Sequence, residues 1–242
     1  MRALQPRETS GAPVGRRVVL GLLTAGVAGV LGGGALEKGL AAVLGPIENH
    51  DSTGLVSMIP VGNTFRFYSV SSGVPPVDAA SYRLDVTGLV ATPGSHTLAD
   101  LQAMPQTELV RDFQCVTGWR VPEVRWSGVR LADLIDSAGP TSEATAVRFT
   151  SFDHTDTESL TLEQARRVDV LVALRMLDAP VTHDHGGPVR LYVAPMYGYK
   201  SLKWLSGIEL TREVVPGYWE HRGYSVDGWV GGSNGRRDAP TA

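Results

Sequence analysis

The sequence predicts an α+β domain with short helices on a mostly antiparallel or mixed sheet. Three observations carry this. Runs of strand length recur at residues 82–88, 109–115, 146–152, 189–193 and 204–211, and those at 82–88, 146–152 and 204–211 alternate. The helical stretches among them are short and stop at Gly or Pro. Strands and helices follow no regular strand–helix–strand period, which a doubly wound parallel sheet would require.

In chain order, Tyr82-Arg83-Leu84-Asp85-Val86-Thr87-Gly88 alternates large and polar residues and reads as a strand ending at Gly88. A short helix starts at Thr97 and stops before Pro105. Residues 109–115 read as a strand that delivers Cys115 to a loop. Residues 126–131 lead into a helix over 131–138, closed by Gly139-Pro140. Residues 146–152 alternate again, and Thr161 caps a short helix reaching Arg167. The apolar run from Val170 to Met176 is a strand or a buried helix, since periodicity does not separate the two. Residues 189–193 form a strand before Pro195, and residues 204–211 form the last one. Residues from Gly228 onward are polar and Gly-rich and read as a frayed tail. No internal repeat is present.

The N-terminus reads as an export segment. Arg16-Arg17 precede an uncharged run from Val18 to Leu36, closed by Glu37-Lys38. Paired arginines before an apolar stretch point to the twin-arginine route, although Gly15 stands where Ser or Thr is usual. An uncleaved N-terminal membrane anchor is the alternative. The expected organisation is a signal or anchor with linker over 1–50, one domain over 51–225 and a flexible tail over 226–242. The location is then periplasmic or otherwise extracytoplasmic. The net charge of −3 and the scattered basic residues give no support for nucleic-acid binding. With one cysteine in 242 residues, no internal disulfide can form. The core must be held by packing or by a bound ligand.

That cysteine, Cys115, stands in Arg111-Asp112-Phe113-Gln114-Cys115-Val116-Thr117-Gly118-Trp119-Arg120. Alone, it could be a nucleophile, a redox thiol, a single metal ligand or a small buried apolar group. Two further segments concentrate Gly, His, Arg, Lys and hydroxyl residues: Thr182 to Arg190 and Tyr197 to Trp204. Glycines let backbone N–H groups approach a ligand, and Arg and Lys match phosphate oxygens. Such a composition suits a large anionic ligand. A Gly-rich hairpin with solvated charges has the same composition.

Together these segments resemble the sulfite oxidase family of molybdopterin-dependent oxidoreductases. The resemblance runs from about Asn63 to Thr211. It rests on Cys115 with the stretch Trp126-Ser127-Gly128-Val129-Arg130-Leu131, on His185-Gly186-Gly187-Pro188-Val189-Arg190, and on Lys200-Ser201-Leu202-Lys203-Trp204-Leu205. It implies a sulfite-oxidase-type molybdopterin-binding fold, a Mo-molybdopterin cofactor, and two-electron oxygen-atom transfer on a sulfur-containing substrate. The family includes sulfite oxidases, plant-type nitrate reductases and bacterial periplasmic subunits that reduce methionine sulfoxide in proteins. This chain looks like the last, stand-alone type, although its Cys115 loop, Val116 to Arg120, matches neither the sulfite oxidases nor the methionine sulfoxide reductases, which leaves the substrate open. Electrons would pass through an external partner such as a membrane haem protein.

The resemblance also implies roles. Cys115 becomes the protein's ligand to molybdenum, a soft thiolate suited to a high-valent metal. Asn63, Arg66 and Phe67 fall on cofactor contacts, as does Ser151. His185 and Arg190 flank the pterin and its phosphate, and Ser201, Leu202 and Lys203 form a backbone-plus-lysine clamp, to which Lys200 adds weakly. Arg120 falls where sulfite oxidases keep a basic residue near substrate. Two departures stand out. The chain ends 31 residues after Thr211, leaving no room for a C-terminal immunoglobulin-like domain, and one cysteine cannot make a haem-attachment motif. The rival readings are a metal-free exported binding module of this fold and a thiol enzyme pairing Cys115 with His183 or His185.

Overall fold

Val170–Met176 is a strand, and its apolar run from Val170 to Leu174 follows from burial on both faces. Val170, Val172 and Leu174 enter one core, while Leu171, Ala173 and Met176 enter a second. Each such Val or Leu contributes about 1.5–3 kcal/mol by leaving water. The structure, a computed structural model, describes Phe65 and residues 77–117 and 120–231. Asn63, Arg66, Phe67, the N-terminal export segment and the chain beyond Gly231 lie outside the described residues.

Two sheets organise the described residues. The first has the order β2-β1-β10-β5-β6: β1 is Arg83–Gly88, β2 Gly94–Thr97, β5 Ala146–Ser151, β6 Thr157–Thr161 and β10 Leu205–Thr211. β1 pairs with β10 in parallel and the other pairs are antiparallel, so this sheet is mixed as expected. The second sheet is antiparallel, in the order β3-β4-β7-β8: β3 is Thr107–Gln114, β4 Arg120–Arg130, β7 Val170–Met176 and β8 Ala179–Pro180. β9, Arg190–Val193, also pairs with β7.

The short helices carry the signals that the sequence displays. α1, Leu98–Ala103, and α3, Leu162–Ala165, begin with capping boxes, Thr97 with Asp100 and Thr161 with Gln164. α2, Leu131–Ala138, buries Leu131, Leu134 and Ile135 against the larger core and stops at Gly139, which has φ 65°.

Residues 126–130 are the end of an eleven-residue strand, which runs directly into the expected helix at Leu131. Three points differ from expectation. The starting half of that strand, β2, β6 and β8 escaped the sequence because they are short, polar or interrupted by Pro122. The expected single sheet is two sheets. Finally, residues 228–231 are not frayed. Tyr197 N–H donates to Gly228 O at 2.8 Å, Val230 N–H donates to Pro195 O at 3.2 Å, and Val230 is buried.

Gly128 tests the contact between β4 and β7. A Cβ at this position would lie 2.1 Å from Val172 O and 2.8 Å from Ala173 Cα. The neighbouring strand backbone has no room to yield. Gly128→Ala should therefore lower stability by about 1–3 kcal/mol. An unchanged denaturant midpoint would contradict this packing.

Candidate active site

β3 ends at Gln114 and hands Cys115 to the loop that returns as β4, with Gln114 opposite Arg120. The base of the loop is tied down by Asp112. Its carboxylate pairs with the Arg120 guanidinium and accepts from Glu123 N–H at 2.9 Å. Its backbone carbonyl accepts from the Tyr192 hydroxyl at 2.9 Å. Cys115 is half-buried, and its Sγ accepts from the Thr117 hydroxyl at 3.2 Å.

Arg190 opens β9 with its side chain fully inside the protein. Nη1 donates to His185 O at 2.7 Å and Nη2 to Ser201 O at 2.8 Å. The guanidinium also lies 5.6 Å from the ring centres of both Phe113 and Trp126. Among the described residues no carboxylate forms an ion pair with it. Desolvation pulls its pKa down to about 10, so it stays charged at neutral pH. A buried cation balanced only by neutral carbonyls and ring faces is costly unless an anion joins it.

These side chains line a cavity of about 180 Å³. Cys115, Thr117, His185, Arg190, Ser201 and Lys203 all contribute, so segments far apart in the chain converge on one space. Burial, with Arg190 nearby, lowers the Lys203 pKa to about 7; its Nζ donates to Asp184 O at 3.3 Å. Burial, then Arg190 and Lys203, also push His185 below its ordinary value, which leaves its ring neutral beside Phe65. Gly186, at φ 94°, permits this packing: a Cβ there would come within 2.5 Å of the Lys203 side chain.

Several expected contacts sit elsewhere. Ser151 does not line the cavity. Its buried hydroxyl is engaged by Asp153 and by the backbone of Asp156, so it shapes the turn behind the wall. The Leu202 side chain packs into the larger core, and its carbonyl accepts from Leu191 N–H at 2.9 Å. Arg120 is committed to Asp112 and does not line the cavity either. Lys200 is no phosphate clamp: it is fully buried, paired with Glu158 and Glu220, and donates to Val226 O at 2.7 Å.

Tyr199, from the Tyr197–Trp204 segment, lines the cavity too, and the sequence reading missed Asp156, Trp219 and Tyr224, which also line it. No spacing in the chain marks them; folding brings them in. Asp156 is the most perturbed of these. Burial first, then Asp153, raises its carboxyl pKa to about 7, against the opposing pull of Lys203.

This shift has a stability consequence in cofactor-free protein. In the unfolded chain Asp156 loses its proton near its ordinary value of 3.8, in the folded chain near 7. The folded state therefore loses stability as pH rises between these values, and the loss is complete above about pH 7. Asp156→Asn should raise stability at pH 8 by on the order of a few kcal/mol, with the gain vanishing near pH 4. Thermal unfolding at both pH values checks this, and an equal gain at both would contradict it.

Comparison with known proteins agrees with this geometry. Residues 71–219 match the family described as oxidoreductase molybdopterin binding domain. The chain is 36% identical over 151 residues to the oxidoreductase YuiH of Bacillus subtilis (strain 168), covering 62% of this chain and 76% of that one. It is 33% identical over 177 residues to the putative protein-methionine-sulfoxide reductase subunit YedZ1 of Azospira oryzae, covering 73% and 66%. It is 29% identical over 196 residues to sulfite oxidase of Arabidopsis thaliana, covering 66% and 50%. The chain thus spans about half to three quarters of the length of these relatives. Among solved structures, the sulfane dehydrogenase SoxCD from Paracoccus pantotrophus shares the fold at a TM-score of 0.55 and 22% identity, covering 64% of this chain and 43% of that one. The chain belongs to the sulfite-oxidase-type family of molybdopterin-binding oxidoreductases, and its cofactor is Mo-molybdopterin.

Proposed function

We propose that the chain is an exported oxidoreductase that transfers an oxygen atom to or from a sulfur-containing substrate, with Cys115 as the protein's ligand to molybdenum. The observation that carries this is Arg190, a buried cation with no acid beside it among the described residues, in the same cavity as the lone thiol. The residues fit the group. Arg190 and Lys203 offer charge-assisted donors to a phosphate, His185 and Ser201 flank it, and Cys115 offers a soft thiolate. When bound, the cofactor supplies two-electron oxygen-atom chemistry. The protein's residues then bind, orient and manage protons. Neither rival reading, the metal-free module or the thiol enzyme, accounts for this cation beside a cofactor-family cavity.

The charges of the cavity favour a neutral sulfoxide over sulfite. Asp156 and Asp184 act on Lys203, and the phosphate would engage both Arg190 and Lys203. No positive surplus then remains for a sulfite dianion, and Arg120 is occupied by Asp112. Sulfoxide reduction consumes two electrons and two protons and yields a thioether and water. Asp156, with its pKa near neutrality, is suited to hold one proton on its carboxyl within the cavity. Electrons arrive through an external partner such as a membrane haem protein. The segment from Arg16 to Leu36 supports export of a folded, loaded protein, or attachment to the membrane if it is not cleaved.

Cys115→Ser should abolish turnover of sulfoxide by molybdenum-loaded protein while leaving the unfolding transition of the cofactor-free chain in place. A hard hydroxyl replaces a soft thiolate, so substantial activity in the loaded variant would sink the ligand assignment.

Replacing Arg16-Arg17 by Lys-Lys should hold the protein in the cytoplasm, folded and loaded, because the charge is kept and the paired-arginine signal is lost. Export equal to wild type would refute the twin-arginine reading. N-terminal sequencing of exported protein separates a cleaved signal from an anchor.

A further inference from the structure

Residues 217–230 form a strap that contributes Trp219 and Tyr224 to the cavity lining, and it is fixed at several points. Tyr218 N–H donates to Thr157 O at 3.0 Å, and Tyr197 N–H donates to Gly228 O at 2.8 Å. Between these ends, the Tyr199 hydroxyl donates to Ser225 O at 2.6 Å, and Lys200 Nζ reaches Glu220 Oε1 at 3.0 Å and Val226 O at 2.7 Å. The fully buried Lys200 also pairs with Glu158 on β6. This network ties the strap to the body of the domain.

Two rings of the strap, Trp219 and Tyr224, line the cavity that holds Cys115. Their centres are 5.3 Å apart at 65°, and Tyr224 meets Tyr199, another lining residue, at 5.2 Å and 65°. These are edge-to-face contacts, which hold the rings in defined orientations. Half-buried aromatic faces cannot pair a phosphate. They match a group with apolar carbon and polarizable sulfur.

We propose that Trp219 and Tyr224 are specificity residues, forming an aromatic wall that holds the organic substituent of a sulfoxide substrate beside the reacting end of the cavity. This rests on the sulfoxide reading above. It predicts discrimination by the size and apolarity of the substituent. A dimethyl compound touches little of such a wall, whereas an aryl group covers a ring face. The competing use of the wall, stacking on the cofactor itself, makes a different forecast: loss of the wall would empty the site of molybdenum.

The test uses the full, cofactor-loaded chain as wild type, Trp219→Ala, Trp219→Phe and Tyr224→Ala. Three quantities are read: molybdenum per chain, KM for methyl phenyl sulfoxide and dimethyl sulfoxide with reduced methyl viologen as donor, and Kd for methyl phenyl sulfide by calorimetric titration. Molybdenum content should stay near wild type in all variants. Trp219→Ala should raise KM for the aryl sulfoxide and Kd for the aryl sulfide by about tenfold, with little change in KM for dimethyl sulfoxide. Tyr224→Ala should act in the same direction, and Trp219→Phe should restore most of the loss. Loss of molybdenum, or equal changes for both sulfoxides, would overturn the proposal. If loaded wild type turns over neither sulfoxide, the functional reading falls and the titration alone decides: an aryl sulfide Kd equal in wild type and Trp219→Ala overturns the wall.

Discussion

A guanidinium buried without an acid organises this protein. Arg190 reaches back to His185 O and forward to Ser201 O, and its plane faces the rings of Phe113 and Trp126. One side chain thereby joins the Gly-rich turn, the Lys203 segment and the hairpin that carries Cys115. Neutral carbonyls orient a cation but do not neutralise it. The depressed pKa values of Lys203 and His185 reflect burial first and the nearby Arg190 charge second. A phosphate bound there would relieve all three groups at once.

The other buried cation is handled in the opposite way. Lys200 is three residues from Lys203 in sequence but meets two carboxylates, Glu158 and Glu220. Burial raises the Glu158 pKa, and Lys200 opposes the rise. Removing one partner from such a cluster leaves an uncompensated charge, which makes it a tether rather than a ligand site. The two lysines of one short segment thus divide the work: Lys203 faces the cavity, and Lys200 secures the strap that bounds it.

How much of this could be read in the chain follows from which forces are local. Caps, turns and alternation are local, so Thr97, Thr161 and Gly139 mark helix ends where the structure has them. Cys115, His185, Arg190, Ser201 and Lys203 stand in compact motifs, and the fold gathers them into one cavity. Ser151, Leu202 and Arg120 share the same neighbourhoods in sequence, yet Ser151 is held by Asp153 and Asp156, the Leu202 side chain packs into the larger core, and Arg120 pairs with Asp112. Lys200 and Lys203 look alike in sequence, because the acids that claim Lys200 come from β6 and from the strap. Asp156, Trp219 and Tyr224 carry no local signal; tertiary structure alone brings them to the cavity. β6 was hidden because its buried Glu158 and Ser159 read as polar surface until Lys200 is placed beside them.

The central claim is that the charge of Arg190 is kept for an anionic cofactor. Molybdenum retained per chain, compared between wild type and Arg190→Ala, tests it most directly. Both proteins should be purified folded from a molybdopterin-producing host and dialysed identically. Wild type should keep close to one molybdenum per chain. The variant loses a charge-assisted contact of about 1.5–3 kcal/mol, so its affinity should fall roughly ten- to hundredfold. Equal molybdenum content in the two proteins after dialysis would contradict the account.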